Sequence, residues 1–116
     1  MGRSKLLVEE TYSLNKLKSR VIKSFLDIII LSRLKNGSAS GYDIIRHIIN
    51  ENGILLSSGT VYAVLYSLER KGYITGSWNS RKRVYSITLE GLECLKAISN
   101  MKESILRMVN NLFKRV

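Results

Sequence analysis

Tyr62 and Tyr66 lie four residues apart, and both their residue type and their spacing suit a binding surface. Residues at this spacing share one face of a helix. Each phenol offers a hydroxyl for a phosphate or a base edge and a ring that can pack against a sugar or a thymine methyl group. Ala63 keeps this face thin, and Arg70 extends it. The pattern indicates a helix whose outer side lies against DNA.

Small residues before these tyrosines suggest a phosphate-binding helix start. Backbone N–H groups at a helix N-terminus, assisted by the helix dipole, can bind phosphate when no large side chain covers them. This stretch consists of Ser57, Ser58, Gly59 and Thr60. Thr60 can also cap the helix, and the two roles are compatible.

The charge distribution favours a polyanionic partner. Nineteen Lys and Arg residues against nine Asp and Glu residues leave a formal charge of +10. Between Ser57 and Thr88 the only acidic residue is Glu69, which we expect to anchor a wing arginine such as Arg83. Nucleic acid is therefore the first candidate partner, and an anionic membrane surface is disfavoured because the basic residues flank a predicted hairpin.

Three core helices are predicted before any strand. The first carries helically spaced apolar residues over 21–34, follows a basic arm that includes Lys16, Lys18, Arg20 and Lys23, and stops at Asn36-Gly37. The second begins after a polar Ser-Ala-Ser bridge, is capped by Ser40 and ends near Gly53. The third begins at Ser57 or Ser58, ends at Lys71-Gly72 and buries a face made by Val61, Val64, Leu65 and Leu68.

Strand-like composition follows the third helix. The stretches YITGSW and RVYSIT predict two strands joined by an NSRK hairpin loop. The loop and the strand after it carry Arg81, Lys82 and Arg83, which can reach flanking phosphates or the minor groove. Trp78 is interpreted as a wing or core residue, with a ligand or DNA-sugar contact as the alternative.

The last predicted helix is too long for the core beside it. Thr88 caps it, and about 26 residues without a breaker would extend about 39 Å. Its apolar seam predicts a dimer interface. The interface residues are Leu95, Ile98, Met101, Ile105, Met108, Val109, Leu112 and Phe113.

These elements predict a mainly α fold with a small β-hairpin, namely a winged helix-turn-helix with a long C-terminal dimerisation helix. The predicted domains are an N-terminal arm at 1–19, a DNA-binding domain at 20–88 and the dimerisation helix at 89–116.

Other chemistries lack support in the sequence. It shows no phosphate-cradling loop, no dinucleotide fingerprint and no nucleophile set, so we expect no enzyme and no cofactor. Cys94, the only cysteine, is interpreted as a core or interface residue rather than a reactive thiol, and His47, the only histidine, as structural rather than metal-binding. No apolar run approaches a membrane span and no secretory signal is recognisable, so we expect a cytoplasmic protein.

Three ordered motifs resemble the PadR family of winged-helix regulators over roughly residues 20–98. They are GYDIIRHI from Gly41, SSGTVYAVLYSLERKGYI from Ser57 and RVYSITLEGLECL from Arg83. The resemblance, closest to members with a short C-terminal region, implies a dimeric prokaryotic repressor. It also implies that Tyr42, Thr60, Tyr62, Arg83 and Tyr85 lie at or near the DNA.

Several alternatives stay open at this stage. Tyr62 could pack against the hairpin instead of contacting DNA. For Tyr66 the sequence favours neither DNA contact nor packing. A small hydrophobic effector could bind in the dimer interface, or the protein could be an architectural DNA-binding protein with little sequence preference.

Overall fold

A computed structural model describes the backbone of residues 2–115 and the side chains of residues 13–115. Met1 and Val116, the ends of the predicted terminal segments, lie outside the described residues. The elements are α1 (Gly2–Ser24), α2 (Leu26–Lys35), β1 (Ala39–Ser40), α3 (Gly41–Asn52), α4 (Ser58–Arg70), β2 (Ile74–Asn79), β3 (Lys82–Ile87), α5 (Leu89–Asn100) and α6 (Lys102–Phe113).

The core lies where α2, α3 and α4 meet the sheet. The helical side chains buried there are Leu26, Ile30, Leu31, Leu34, Ile44, Ile48, Val61, Leu65 and Leu68. Ile74 and Tyr85 join them from the strands, and Val64 packs against the cluster while only partly buried. Three helices folded against a small sheet with a protruding hairpin form the predicted winged helix-turn-helix.

Side-chain caps fix the start of the helices that carry the site. Ser40 and Asp43 form a capping box, in which the Asp43 N–H donates to Ser40 Oγ and the Ser40 N–H donates to Asp43 Oδ2, each at 3.1 Å. The Thr60 N–H donates to Ser57 Oγ at 3.2 Å, so Ser57 rather than Ser58 caps α4. Thr88 caps α5 as predicted.

The sheet has three antiparallel strands in the order β1-β3-β2, one more than predicted. Ala39 pairs with Tyr85 and Ser40 with Val84, so the predicted polar bridge contributes an edge strand. Two residues are too few for a strand pattern to show in the sequence. The hairpin loop is also shorter than predicted, because Asn79 and Lys82 pair and only Ser80-Arg81 remain as the turn.

Two predicted helices are each divided in the structure. The predicted helix at 21–34 is interrupted at Phe25, between α1 and α2, and the last helix is interrupted at Met101. The Met101 N–H donates to the Ile98 carbonyl three residues earlier at 2.9 Å, which tightens the chain locally. The apolar spacing continues across Met101, so the sequence carries no sign of this break.

Candidate nucleic-acid interface

The outer face of α4 is uncovered in the protomer, as predicted. Tyr62 is 45% exposed and Tyr66 is 64% exposed. Ala63 and Arg70 are exposed beside them, and the Arg70 guanidinium lies 5.7 Å from the centre of the Tyr66 ring. The opposite face of the helix is buried in the core, so the amphipathic pattern of α4 presents this set outwards.

Tyr62 is held in place by the start of α3. Its ring and hydroxyl lie so close to Gly41 that a Cβ at that position would collide with them. The sequence alternatives were DNA contact and packing against the hairpin, whereas the ring packs against α3 on one side and is open to solvent on the other. Tyr62 is therefore an oriented, accessible side chain.

The start of α4 offers fewer free amides than the sequence suggests. The Thr60 N–H is occupied by Ser57 Oγ, and the hydroxyls of the two residues are 2.8 Å apart. Thr60 is half-buried, while Ser57, Ser58 and Gly59 are exposed. Because the first N–H groups of a helix have no intrahelical acceptor, the amides of Ser58 and Gly59 are the ones that can reach a phosphate.

The three basic residues of the hairpin have different surroundings. Arg81 and Lys82 are exposed at the tip. The Arg83 guanidinium instead donates to Glu69 Oε2 at 2.8 Å, and the same oxygen accepts from the Gly76 N–H at 2.9 Å. The predicted anchoring of Arg83 by Glu69 is confirmed, and Arg83 is thereby directed towards α4.

Tyr85 is nearly buried. The resemblance placed it at or near the DNA surface; it is 5% exposed and belongs to the core, although it also lines the groove beside α4. Removal from water raises the pKa of its phenol. Alternate residues of β3 face the core, and Tyr85 is one of them. It shares this face with its partners Ala39 and Gly76 on the neighbouring strands.

A groove of about 430 Å³ lies between the starts of α3 and α4 and the hairpin. It is lined by Ser40, Tyr42, Tyr62, Trp78, Arg81, Lys82, Arg83 and Tyr85. Tyr42, whose ring lies 5.8 Å from the Arg46 guanidinium, is 60% exposed. Aromatic rings and basic side chains therefore share one concave surface, which suits a sugar-phosphate chain.

Trp78 belongs to this groove, whereas the sequence favoured a wing or core role and gave a ligand or DNA-sugar contact only as the alternative. It pairs with Arg83 across the hairpin, and its side chain is 69% exposed. The one sequence signal that could have identified it is a tryptophan placed on a strand directly before a basic turn.

A second surface is apolar and lies on the flanking helices. Of the predicted interface residues, Leu95, Ile98 and Val109 are half-buried. The exposed fractions of Met101, Ile105, Met108, Leu112 and Phe113 range from 39% to 59%. A similar stripe is formed by Leu14, Leu17 and Val21 of α1 and by Phe25 directly after it, which are 40–51% exposed.

Metal and membrane features are not found in the described part of the chain. Among these residues no group of three His, Cys, Asp or Glu side chains could hold a metal ion. No helix there is both long and apolar enough to cross a bilayer. Cys94 is a half-buried free thiol, and His47 is also half-buried.

The fold and the basic, tyrosine-bearing face of α4 define a protein of the winged helix-turn-helix class. Residues 30–97 match the model of the transcriptional regulator PadR-like family, which is more than half of the chain. The chain therefore belongs to the PadR-like family. Family members are transcriptional regulators rather than enzymes, which confirms the predicted class. A comparison with curated proteins gave no match.

Solved structures support this assignment. A transcriptional regulator from Clostridium thermocellum, Cth-833, is 30% identical, with 80% of this chain and 94% of that chain covered and a TM-score of 0.72. A PadR family regulator from Clostridium difficile is 27% identical, with 77% and 97% covered and a TM-score of 0.65. Bacillus subtilis PadR in complex with operator DNA is 29% identical, with 62% and 44% covered and a TM-score of 0.56.

Proposed function

We propose that this regulator is a homodimeric repressor that binds a pseudo-palindromic operator in double-stranded DNA. One observation carries the proposal: Tyr62, Tyr66 and Arg70 project from one uncovered face of α4, beside a basic hairpin. In helix-turn-helix proteins this helix enters the major groove. The family relative crystallised with operator DNA supports the same partner. Such a protein acts in the cytoplasm, where prokaryotic DNA lies.

The residues proposed to contact DNA divide into two groups by their chemistry. Tyr62, Ala63, Tyr66 and Arg70 lie on the face that would meet base edges and thymine methyl groups. A second group would bind the backbone phosphates on either side, since phosphate contacts fix the orientation of a protein on the duplex. This group consists of Tyr42, Ser57, the Ser58 and Gly59 amides, the Thr60 hydroxyl, Arg81 and Lys82.

The homodimer is supported by the apolar surface of α5 and α6. Leu112 and Phe113 are each 59% exposed, and Met101 and Met108 are each 53% exposed. A stripe of this kind on a surface helix is typical of a helix that pairs with another. Two-fold pairing would place the two α4 helices about one turn of DNA apart.

Selection of bound fragments from random DNA tests the whole proposal. We expect a palindromic sequence, together with a Kd that is lower for the selected duplex than for an unrelated duplex at the same salt concentration. Equal affinity for both duplexes would instead indicate charge-driven architectural binding.

The Tyr62 side chain provides the local test. Tyr62→Ala should weaken binding to the selected duplex about tenfold, because one base-reading contact contributes about 1–3 kcal/mol. Lys114→Ala, at an exposed cation beyond α6, is the matched control and should bind like wild type. Unchanged affinity of Tyr62→Ala would contradict the assignment of α4 as the DNA-reading helix.

A second candidate function, effector sensing, is favoured by one cavity. An open space of about 350 Å³ lies between α1, α2, α4 and α5. Its lining combines Leu31, Val64, Leu68 and Ile98 with the polar or charged Lys23, Asp27, Ser67 and Lys71. A hydrophobic compound bound there would contact the inner flank of α4 and so change its position on DNA. Thermal-shift screening of small aromatic compounds, followed by competition with the selected duplex, would test this function. Compounds that raise Tm without changing DNA affinity would contradict it.

A further inference from the structure

One face of the hairpin changes from core to surface along its length. On β2 this face carries Ile74, Gly76 and Trp78, which pair with Ile87, Tyr85 and Arg83 on β3. At the base Ile74 is 2% exposed, whereas towards the tip Trp78 is 69% exposed. Trp78 therefore extends the inward face of the hairpin beyond the protein core and into the groove beside α4.

Arg83 has four close neighbours beneath Trp78, and 33% of its side chain remains exposed. Its guanidinium lies 5.6 Å from the centre of the Trp78 ring and 5.8 Å from that of Tyr85, both within cation–π range. Glu69 on α4 accepts its N–H at 2.8 Å. Gly76 leaves the necessary space, because a Cβ there would lie 2.7 Å from Arg83 Nε.

These contacts connect α4 to the Trp78 ring through a single chain of side chains. Glu69 binds both the Gly76 amide and Arg83, and Arg83 supports one face of the indole. The guanidinium is thus engaged within the protein, unlike the exposed side chains of Arg81 and Lys82. What the hairpin presents at this point is a flat aromatic surface and an indole N–H.

We propose that Trp78 contacts DNA, packing its ring against a deoxyribose next to the groove read by α4, and that Glu69 is a positioning residue that holds Trp78 there through Arg83. This inference rests on the proposed DNA-binding function. It also changes the predicted role of Arg83 from a phosphate contact to a support for the ring. Such a contact would be independent of base identity, because every nucleotide of the duplex carries the same deoxyribose.

The sign of the effect of Glu69→Gln distinguishes positioning from simple electrostatics. A carboxylate near DNA repels phosphates, so its removal alone would strengthen binding and add to the attraction of the basic surface. If Glu69 positions Trp78, the same substitution weakens binding, by about threefold to tenfold, because Arg83 loses its charged partner. Tighter binding by Glu69→Gln would overturn the positioning role.

Affinity and salt dependence measured on a matched set of variants test the contact. Trp78→Ala should bind the selected duplex about tenfold more weakly because it loses the apolar area buried against the sugar, and Trp78→Phe should retain part of the affinity. Ser77→Ala, on the opposite face of the same strand, is the control and should match wild type. Lys82→Ala should reduce the slope of log K against log salt by about 1, while Trp78→Ala and Glu69→Gln should leave the slope unchanged.

The fluorescence of Trp78 gives a direct readout, because it is the only tryptophan in the chain. On saturation with the selected duplex its emission should change and its quenching by acrylamide should fall. Glu69→Gln should lose part of this protection at saturation, which reports the position of the ring independently of affinity.

The outcomes separate this inference from the function on which it rests. Wild-type protein that binds no selected duplex would defeat the proposed function itself. Wild-type protein that binds and is weakened by Tyr62→Ala, while Trp78→Ala binds normally and acrylamide quenching is unchanged, would overturn the Trp78 contact alone.

Discussion

The winged-helix region and the helices that flank it contain similar apolar residues but bury them very differently. In the described chain every buried hydrophobic core residue lies between Leu26 and Tyr85. Helix α5 packs only the partly buried Cys94 and Leu95 against that cluster, and no residue of α6 is buried. The first region is thus closed by its own chain, whereas the second has an apolar face that one chain leaves open.

This difference assigns separate physical tasks to the two regions. Burial of apolar surface stabilises the winged helix within one protomer. The exposed stripe on α5 and α6 would gain the same kind of stabilisation only from another surface, which we propose is a second copy. Substitutions in the two regions should therefore give different concentration dependences of stability.

The largest effect is expected from a cavity in the core of the winged-helix region. Leu65 has no exposed surface, so Leu65→Ala should lower the free energy of unfolding by about 2–5 kcal/mol. Urea denaturation at several protein concentrations measures this loss. Because Leu65 is buried within one protomer, the loss of unfolding free energy should not depend on protein concentration. A loss that vanished at high protein concentration would show that the core is completed by a second chain.

The next effect concerns the open region. Replacing Ile105 and Leu112 together by Gln should dissociate the dimer and weaken DNA binding about 100-fold, because the two half-sites are no longer bound by linked copies. Sedimentation and DNA binding measure the two changes. The control exchanges Ser104 and Asn111, two exposed polar residues of the same helix, for Gln. If the variant with Gln at Ile105 and Leu112 remains a dimer, the two chains do not pair through α6.

A smaller effect is expected where the closed region supports the DNA-reading face. Gly41→Ala should displace the Tyr62 ring and weaken DNA binding several-fold, since the added Cβ collides with that ring. Combining it with Tyr62→Ala should restore part of the stability that Gly41→Ala costs, which a double-mutant cycle of unfolding energies measures. Strictly additive losses would show that the two positions are not in contact.

The smallest effect concerns the cap of α3. Hydrogen bonds from Ser40 lower the pKa of Asp43 below its ordinary value of 3.8. Because the folded-state pKa is lowered, the ionised Asp43 carboxylate stabilises the fold fully above pH 3.8. This stabilisation is lost as the pH falls through the lower pKa of the folded state. Ser40→Ala should cost about 1 kcal/mol at neutral pH. Thermal unfolding from pH 7 to pH 2 should show a smaller decline for Asp43→Asn than for wild type.

The features that could be predicted from the sequence depend on local patterns. Ser40 with Asp43 three positions later predicts the capping box, and the isolated Glu69 among basic residues predicts its pairing with Arg83. The apolar periodicity of α4 likewise identifies which side of the helix carries Tyr62 and Tyr66.

The features that sequence analysis missed depend on tertiary contacts. The burial of Tyr85 follows from its pairing with Ala39, a residue distant in sequence, and the exposure of Trp78 follows from the length of the hairpin. The interruptions at Phe25 and Met101 leave the apolar spacing intact. Periodicity therefore shows which face of an element is apolar, but not where the chain bends.

Sedimentation equilibrium of the free protein and of its complex with the selected duplex measures whether the protein pairs and binds DNA as a symmetric dimer. We expect a free mass of twice 13.2 kDa and two chains on each duplex, with symmetric half-sites. A free species of 13.2 kDa that binds the same duplex as a single chain would contradict this expectation.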